Sequence, residues 1–340
     1  MAIEAMHAEM DEQRDFLHDS HIRTIYFGGG TPSLVAPARI QELIDHAARL
    51  WNCSHVEELT LEGNPDDVTK EYVEALRTTS INRISLGVQS FDDAELRFMN
   101  RRHTAATAVE AVKRLQDAGI ENITIDLIFG VDGFDESVLE RSLEQTLMLD
   151  VQHVSAYHLT IEEGTAFHRR MLRGQMQVVD EERSEREYAL VHRRLTEAGY
   201  EHYEISNFAK SGFRSRHNLH TWQCRDYLGL GVAAHSCMDG ARFGNSRDID
   251  AFLRGEDITE ERRTLTAEDK ADEAVMLGLR LREGIDPVAF KARFGVDFET
   301  RYGEKCAPFV SRGLMTRRDG RVAMTEAGWM VSNAILAELL

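Results

Sequence analysis

Cysteine is scarce in this chain: Cys53, Cys224, Cys237 and Cys306 are the only four among 340 residues, and they are widely scattered. Such spacing excludes a disulfide framework of the small secreted kind and a closely spaced metal motif, so they read as ordinary reduced thiols. Basic charge is also in short supply, with 40 Lys and Arg against 58 Asp and Glu and a net charge of −18. That balance argues against a general binder of nucleic acid or anionic membrane, while leaving room for a local basic pocket. No apolar run approaches the ~20 residues needed to cross a bilayer, and no secretory leader pattern, internal repeat or low-complexity tract is visible. These absences point to a cytoplasmic globular protein without a transmembrane segment. At 340 residues and 42% hydrophobic, the chain suffices for one large domain with an appendage or for two domains.

What is present is an alternation of short apolar runs and amphipathic stretches up to about residue 205. The expected strands are Thr24–Phe27, Glu58–Leu61, Arg83–Gly87, Ile123–Ile128, His153–Leu159 and Glu201–Ile205. Between them Pro37 opens a helix whose Ile40, Leu43, Ile44 and Ala47 share a face. Thr104 caps the next, with Ala108, Ala111, Val112 and Leu115 inward and Gly119 closing it. Asp135 caps another, and a fourth runs from about Asp180 to Ala198. Strand and helix alternating through short connections predict parallel strands with crossover helices, as an open sheet or a barrel. In either architecture ligands gather at the C-terminal ends of the strands.

The strand ends carry polar residues that a core does not need. Tyr26-Phe27-Gly28-Gly29-Gly30-Thr31-Pro32-Ser33 runs from an apolar strand into three glycines, where backbone amides can approach a ligand closely. Glu62 follows Leu59-Thr60-Leu61, Gln89 follows Ile84–Val88, and Arg101 lies after a short helix that Asp92 begins. Asp126 interrupts the apolar run Ile123–Ile128, and an ionised group there needs a partner. Carboxylates at strand ends suit ribose hydroxyls and a guanidinium suits a ligand carboxylate. Four such residues around a triple-glycine loop predict a binding site.

The segments Tyr26–Ser33, Gly87–Phe91, Asn100-Arg101, Ile125–Gly130 and Tyr203–Ala209 resemble the oxygen-independent coproporphyrinogen III oxidase-like family. These are radical S-adenosylmethionine (SAM) proteins built on an incomplete parallel (β/α) barrel, and the similarity runs from about residue 20 to the C-terminus. It implies that Gly29, Gly30, Thr31, Glu62, Gln89, Arg101 and Asp126 bind SAM. The family also holds a [4Fe–4S] cluster on three cysteines, usually Cys-x-x-x-Cys-x-x-Cys, after its first strand. No such triplet occurs here, and the residues before Thr24 match the family's first helix. The expectation is therefore that the cluster motif is encoded upstream of Met1; a shortened relative unable to cleave SAM is the alternative.

A second run, Arg216-His217-Asn218-Leu219-His220-Thr221-Trp222, is similar to the His-Asn-x-x-Tyr-Trp segment of the haem chaperone branch, with Thr221 replacing the tyrosine. That similarity implies haem as cargo, His217 as ligand to its iron and Trp222 as a porphyrin contact; His220, His235 and Cys224 are rival ligands. The expected organisation is a partial barrel over 1–210 lacking the first strand and cluster loop, a haem-segment connector over 211–260, and over 261–340 a small helical or winged-helix-like domain of the family's C-terminal type. The expected function is haem binding and transfer to acceptor haemoproteins, with SAM and the cluster as cofactors of the full-length form and membrane contact only through partners. No radical turnover is expected without the cluster cysteines. Oxidative decarboxylation of coproporphyrinogen III, or an unrelated (β/α) enzyme, are the competing readings.

Overall fold

A computed structural model describes residues 1–17 and 21–340. Seven strands form its main sheet: β1 (Thr24–Phe27), β2 (Glu58–Gly63), β3 (Arg83–Gln89), β4 (Ile123–Phe129), β5 (His153–His158), β6 (Glu201–Glu204) and β7 (Asn207–Ala209), ordered β1-β2-β3-β4-β5-β7-β6. From β2 to β5 neighbours pair in parallel. The expected partial (β/α) barrel is thus present, with one departure. β7 runs antiparallel to both β5 and β6. Only Ile205 and Ser206 separate β6 from β7, and a parallel pair needs a crossover of a dozen or more residues, so this connection can only be a hairpin.

The strands form where β-branched and large apolar residues cluster, and the central ones bury one face completely. In β4 the side chains of Ile123, Ile125, Leu127 and Phe129 are all buried. The helices are punctuated as the sequence predicts. Thr104 accepts a hydrogen bond from Thr107 N–H, and Asp135 from Ser137 N–H, at the starts of helices Ala105–Asp117 and Glu136–Met148. Ile40, Leu43, Ile44 and Ala47 of helix Pro37–Leu50 are buried together, as their spacing requires.

The chain divides into two compact units. One comprises Tyr26–Ala38 and Glu58–Arg214 and holds most of the sheet just described. The other gathers Met1–Ile25, Arg39–Glu57 and Ser215–Leu340. Residues 206–250, which show little periodicity in sequence, contain helix Arg216–Trp222, β8 (His235–Met238), β9 (Ala241–Asn245) and helix Ile249–Leu253; β10 (Thr259–Thr264) completes an antiparallel sheet ordered β10-β9-β8. The elements are short, three to seven residues, too brief to display a period. Beyond them, helices Ala267–Gly278 and Pro287–Phe294 pack together, and helix Glu304–Ser311 packs on the hairpin of β11 (Met315–Arg318) and β12 (Arg321–Met324). Asp319 and Gly320 turn that hairpin with φ of 52° and 74°, the left-handed pair a two-residue turn demands. After Thr325 the chain forms two short helices, Glu326–Met330 and Ser332–Leu339, because Val331 leaves the helical region. Glycine at 328 and a β-branched residue at 331 are both weak helix formers. Among the described residues no helix is long and apolar enough to cross a membrane.

Candidate functional site

Within the unit that holds the sheet, the strand ends enclose a cleft of about 200 Å³ lined by Gly30, Thr31, Glu62, Gln89, Arg101 and Asp126, together with Ser85 and Asn64. Six of the seven residues expected to bind SAM therefore meet at one cavity. The seventh, Gly29, adjoins it through Glu62. The loop after β1 turns on φ of 75° at Gly29 and 61° at Gly30, values that L side chains rarely adopt. A Cβ on either glycine would meet nothing within 4 Å, so the backbone there is bare toward open space. Gly28 differs: a Cβ would lie 2.5 Å from the Tyr26 ring, so its role is close packing.

Glu62 is the hinge-pin of the loop. Its Oε2 accepts the Gly29 N–H at 3.0 Å and its Oε1 accepts the Tyr26 hydroxyl at 2.5 Å. Burial and that carboxylate hold the Tyr26 phenol far above its ordinary pKa, so it stays a donor. On β3 the register slips between Leu86 and Gln89, and Gln89 sits at φ 70°. This bulge turns the Gln89 amide into the cleft, where it has no hydrogen-bond partner among the described residues. A Cβ on Gly87 would lie 2.9 Å from Gln89 Nε2, so the glycine makes room for that side chain.

Asp126 on β4 receives the Ser85 hydroxyl at 3.2 and 3.3 Å to its two oxygens. Desolvation nevertheless outweighs these bonds, and its carboxyl is pushed up to about 6. Arg101, half-buried, has no ion pair among the described residues; burial lowers its pKa, and the nearest opposing influence is the charge of Asp126. The cleft thus offers two carboxylates, one guanidinium, an amide and bare glycine backbone. This donor set fits a zwitterionic nucleoside such as SAM, which carries an ammonium, a carboxylate and ribose hydroxyls.

The fold holds Asp126 away from its preferred ionisation, and the consequence is measurable. A carboxyl with a raised folded pKa binds more protons folded than unfolded, so stability falls as pH rises from about 3.8 to about 6. Asp126→Asn should be more stable than the parent by about 1–3 kcal/mol at pH 8, with the gap closing toward pH 4. Urea unfolding across that range checks it; a gap that ignores pH would sink the assignment.

The cysteines do not fit an iron–sulfur cluster. Among the described residues no group of three or more His, Cys, Asp and Glu is arranged to hold a metal ion. Burial raises the pKa of all four thiols, Cys224 and Cys306 to about 11, whereas cluster ligation requires thiolates.

In the other unit, helix Arg216–Trp222 starts at Ser215, whose hydroxyl accepts the Asn218 N–H. His217 is half-buried, and its Nδ1 lies 3.0 Å from Thr24 Oγ1. That bond is 193 residues long in sequence and invisible to local reading. Five residues on an α-helix turn through roughly 500°, so Trp222 points about 140° away from His217. Its indole instead faces Arg280, whose guanidinium carbon lies 5.7 Å from the ring centroid. Of the rival haem ligands, His235 is exposed at the start of β8.

Sequence reading missed Ser85 and Asn64 as cleft residues, Tyr26 as the partner of Glu62 and Thr24 as the partner of His217. Tyr26 and Ser85 lie inside strands that read as core, and their only signal is position, one residue or a few before the strand end.

Two family models match the chain: one described as Radical SAM superfamily over residues 6–146, the other as HemN C-terminal domain over residues 265–331. The chain is similar to heme chaperone HemW of Lactococcus lactis subsp. lactis (strain IL1403), 34% identical over 94% of this chain and 85% of the relative. Heme chaperone HemW of Bacillus subtilis (strain 168) is 31% identical over 94% of this chain and 86% of the relative. Among solved structures, coproporphyrinogen III oxidase (HemN) from Escherichia coli, a radical SAM enzyme, superposes with a TM-score of 0.83 at 18% identity, covering 99% of this chain and 82% of that one. That likeness establishes the shared fold, a partial (β/α) barrel followed by a HemN-type C-terminal domain. The identities to the curated relatives, held over nearly the whole chain, decide the finer question: the chain belongs to the HemW family of the radical SAM superfamily.

Proposed function

We propose that this protein is a haem chaperone, which binds haem as cargo and passes it to acceptor haemoproteins. The observation that carries this reading is the likeness over nearly all of the chain to proteins named heme chaperone, several of them above 30% identity. Helix Arg216–Trp222 supports it by offering an imidazole whose orientation is held by a second residue.

For His217 Nε2 to donate its lone pair to iron, the ring proton must reside on Nδ1. Nδ1–H donating to Thr24 Oγ1 is that tautomer, so Thr24 acts as a positioning residue for the ligand. Cys224 is a weaker ligand, because burial pushes its thiol up to about 11 and little thiolate exists at neutral pH.

In this proposal SAM is a resident cofactor of the cleft. Glu62 and Asp126 supply acceptors for its hydroxyl and ammonium groups, Arg101 a guanidinium for its carboxylate, and Gln89 an amide that can both give and accept. Together with a [4Fe–4S] cluster, bound SAM supplies radical chemistry; the cluster's ligands are not found among these cysteines. Four free thiols are consistent with work in the reducing cytoplasm.

Haem titration followed by absorbance tests the reading. His217→Ala should weaken haem binding tenfold or more, since an iron–imidazole bond is lost, while His220→Ala should change it less than threefold. Thr24→Val should fall between them. Equal affinity in the parent and His217→Ala would remove His217 from the site, and a parent that takes up no haem would end the chaperone reading.

A further inference from the structure

The C-terminal end of helix Arg216–Trp222 carries two cations that have no ion pair among the described residues. Arg280 lies against the Trp222 ring, its Nε is buried without a hydrogen-bond partner, and its Nη2 reaches only Asn333 Oδ1 at 3.4 Å. Arg293 donates Nη1 to the Gln223 carbonyl at 2.7 Å and Nη2 to the Cys224 carbonyl. Those carbonyls belong to the end of the helix, so Arg293 serves as its cap and keeps its charge unopposed. Neighbours in the same stretch behave otherwise. Arg242 pairs with Glu273 at 3.0 Å, Arg301 with Asp272 at 3.0 Å, and Arg317 with Glu299 at 2.5 Å. Glu273, the carboxylate whose charge reaches Cys224, is therefore already taken. In a chain of net charge −18, one guanidinium against an indole and a second at the adjoining helix end, neither with an ion pair among the described residues, call for an explanation.

We infer that Arg280 and Arg293 form the anion-binding edge of the haem site and receive the haem propionates beside Trp222. This rests on the haem reading above and adds to it which part of the cargo is recognised and by what. A flat apolar ligand with carboxylates along one edge matches an aromatic side chain with a guanidinium on its face and a second guanidinium at the adjoining helix end, because guanidinium pairs with carboxylate in a planar fork and tolerates stacking on an aromatic face. His217 and Trp222 are separated by about 140° of rotation and about 7.5 Å of rise, so the edge contact at Trp222 lies on a different side of the helix from His217. The Arg280 variants therefore read propionate recognition independently of which residue ligates the iron. The residues lie within the HemN C-terminal domain match, which gives that segment a role in cargo recognition.

The test compares iron protoporphyrin IX with its dimethyl ester, in which both propionates are uncharged, using the full chain. Arg280→Met should weaken haem binding about tenfold and leave ester binding unchanged, as expected for one charge-assisted hydrogen bond removed. Arg280→Lys should recover most of the loss. Arg293→Met should act in the same direction, with circular dichroism reporting whether the helix it caps persists; a helix that melts shifts the weight to the Arg280 pair of variants. His217→Ala should weaken haem and ester alike. Equal losses for haem and ester in Arg280→Met, or no loss, would overturn the propionate site while leaving the haem reading intact. Failure of the parent to bind either porphyrin would instead remove the haem reading and this site together.

Discussion

Arg83→Ala is expected to lower the unfolding free energy by about 3–5 kcal/mol, the loss typical of breaking a buried ion pair from one side. Arg83 is only 2% exposed although it opens a strand. Its Nη2 donates to Thr124 Oγ1 at 2.8 Å, and its Nη1 to Asn122 Oδ1 at 3.1 Å and the Phe213 carbonyl at 3.2 Å. Glu58 Oε2 lies 3.8 Å away and is equally buried. Alanine removes a cation from beside that buried carboxylate and leaves a void where the longest side chain of the core stood. The damage also reaches the cleft, since Arg83 begins β3 opposite Thr60 and the same strand ends at Gln89. Urea denaturation measures it. A loss under 1 kcal/mol would mean that the surrounding polar groups, not the guanidinium, hold this corner. The double variant Arg83→Met, Glu58→Gln should recover part of the loss, because it removes the buried carboxylate together with the cation it faces.

Glu62→Ala is expected to weaken SAM binding about a hundredfold, equivalent to about 2.7 kcal/mol. Two effects combine. The ligand loses a carboxylate acceptor, and the loop loses the anchor that ties Gly29 N–H and the Tyr26 hydroxyl to one side chain. A charge-assisted hydrogen bond contributes about 1.5–3 kcal/mol, so the ligand contact and the loosened loop together reach that figure. Glu62→Gln keeps the shape without the charge and should lose about tenfold. Equilibrium dialysis with labelled SAM reads both, and undiminished binding in Glu62→Ala would mean that SAM is held elsewhere. Global stability should change little, because the Glu62 side chain faces the cleft rather than the core.

The contrast between Arg83 and Glu62 shows where sequence reading succeeds and where it stops. Polar residues at the C-terminal ends of strands are visible as exceptions in apolar runs, so Glu62, Gln89 and Asp126 could be marked as site residues, and the sheet gathers them because parallel strands bring like ends together. Arg83 and Glu58 carry the same kind of signal at the opposite ends of their strands. Read alone, each looks like a solvated strand opener; only the burial of both reveals a structural pair. Helices were legible through caps such as Thr104 and Asp135, whose effect is local. The antiparallel turn of β7 was not, since three residues carry no period. His217 and Trp222 came from resemblance, which conveys identity but not direction. Their opposite orientation on one short helix follows only from its winding.

The interleaving of the two units bears on the order in which a nascent chain can mature. Residues Glu58–Arg214 form an almost uninterrupted stretch and can close their own core as soon as they clear the ribosome. Met1–Ile25 and Arg39–Glu57 must wait for Ser215–Leu340. Thr24 meets His217 across 193 residues, an interval of roughly 10–40 s at ordinary translation speeds. Throughout that wait the histidine's partner has been synthesised but the histidine has not. A polypeptide arrested before residue 215 therefore has its strand-end cleft and lacks His217, so under the proposal above haem binding is acquired only after the cleft is complete.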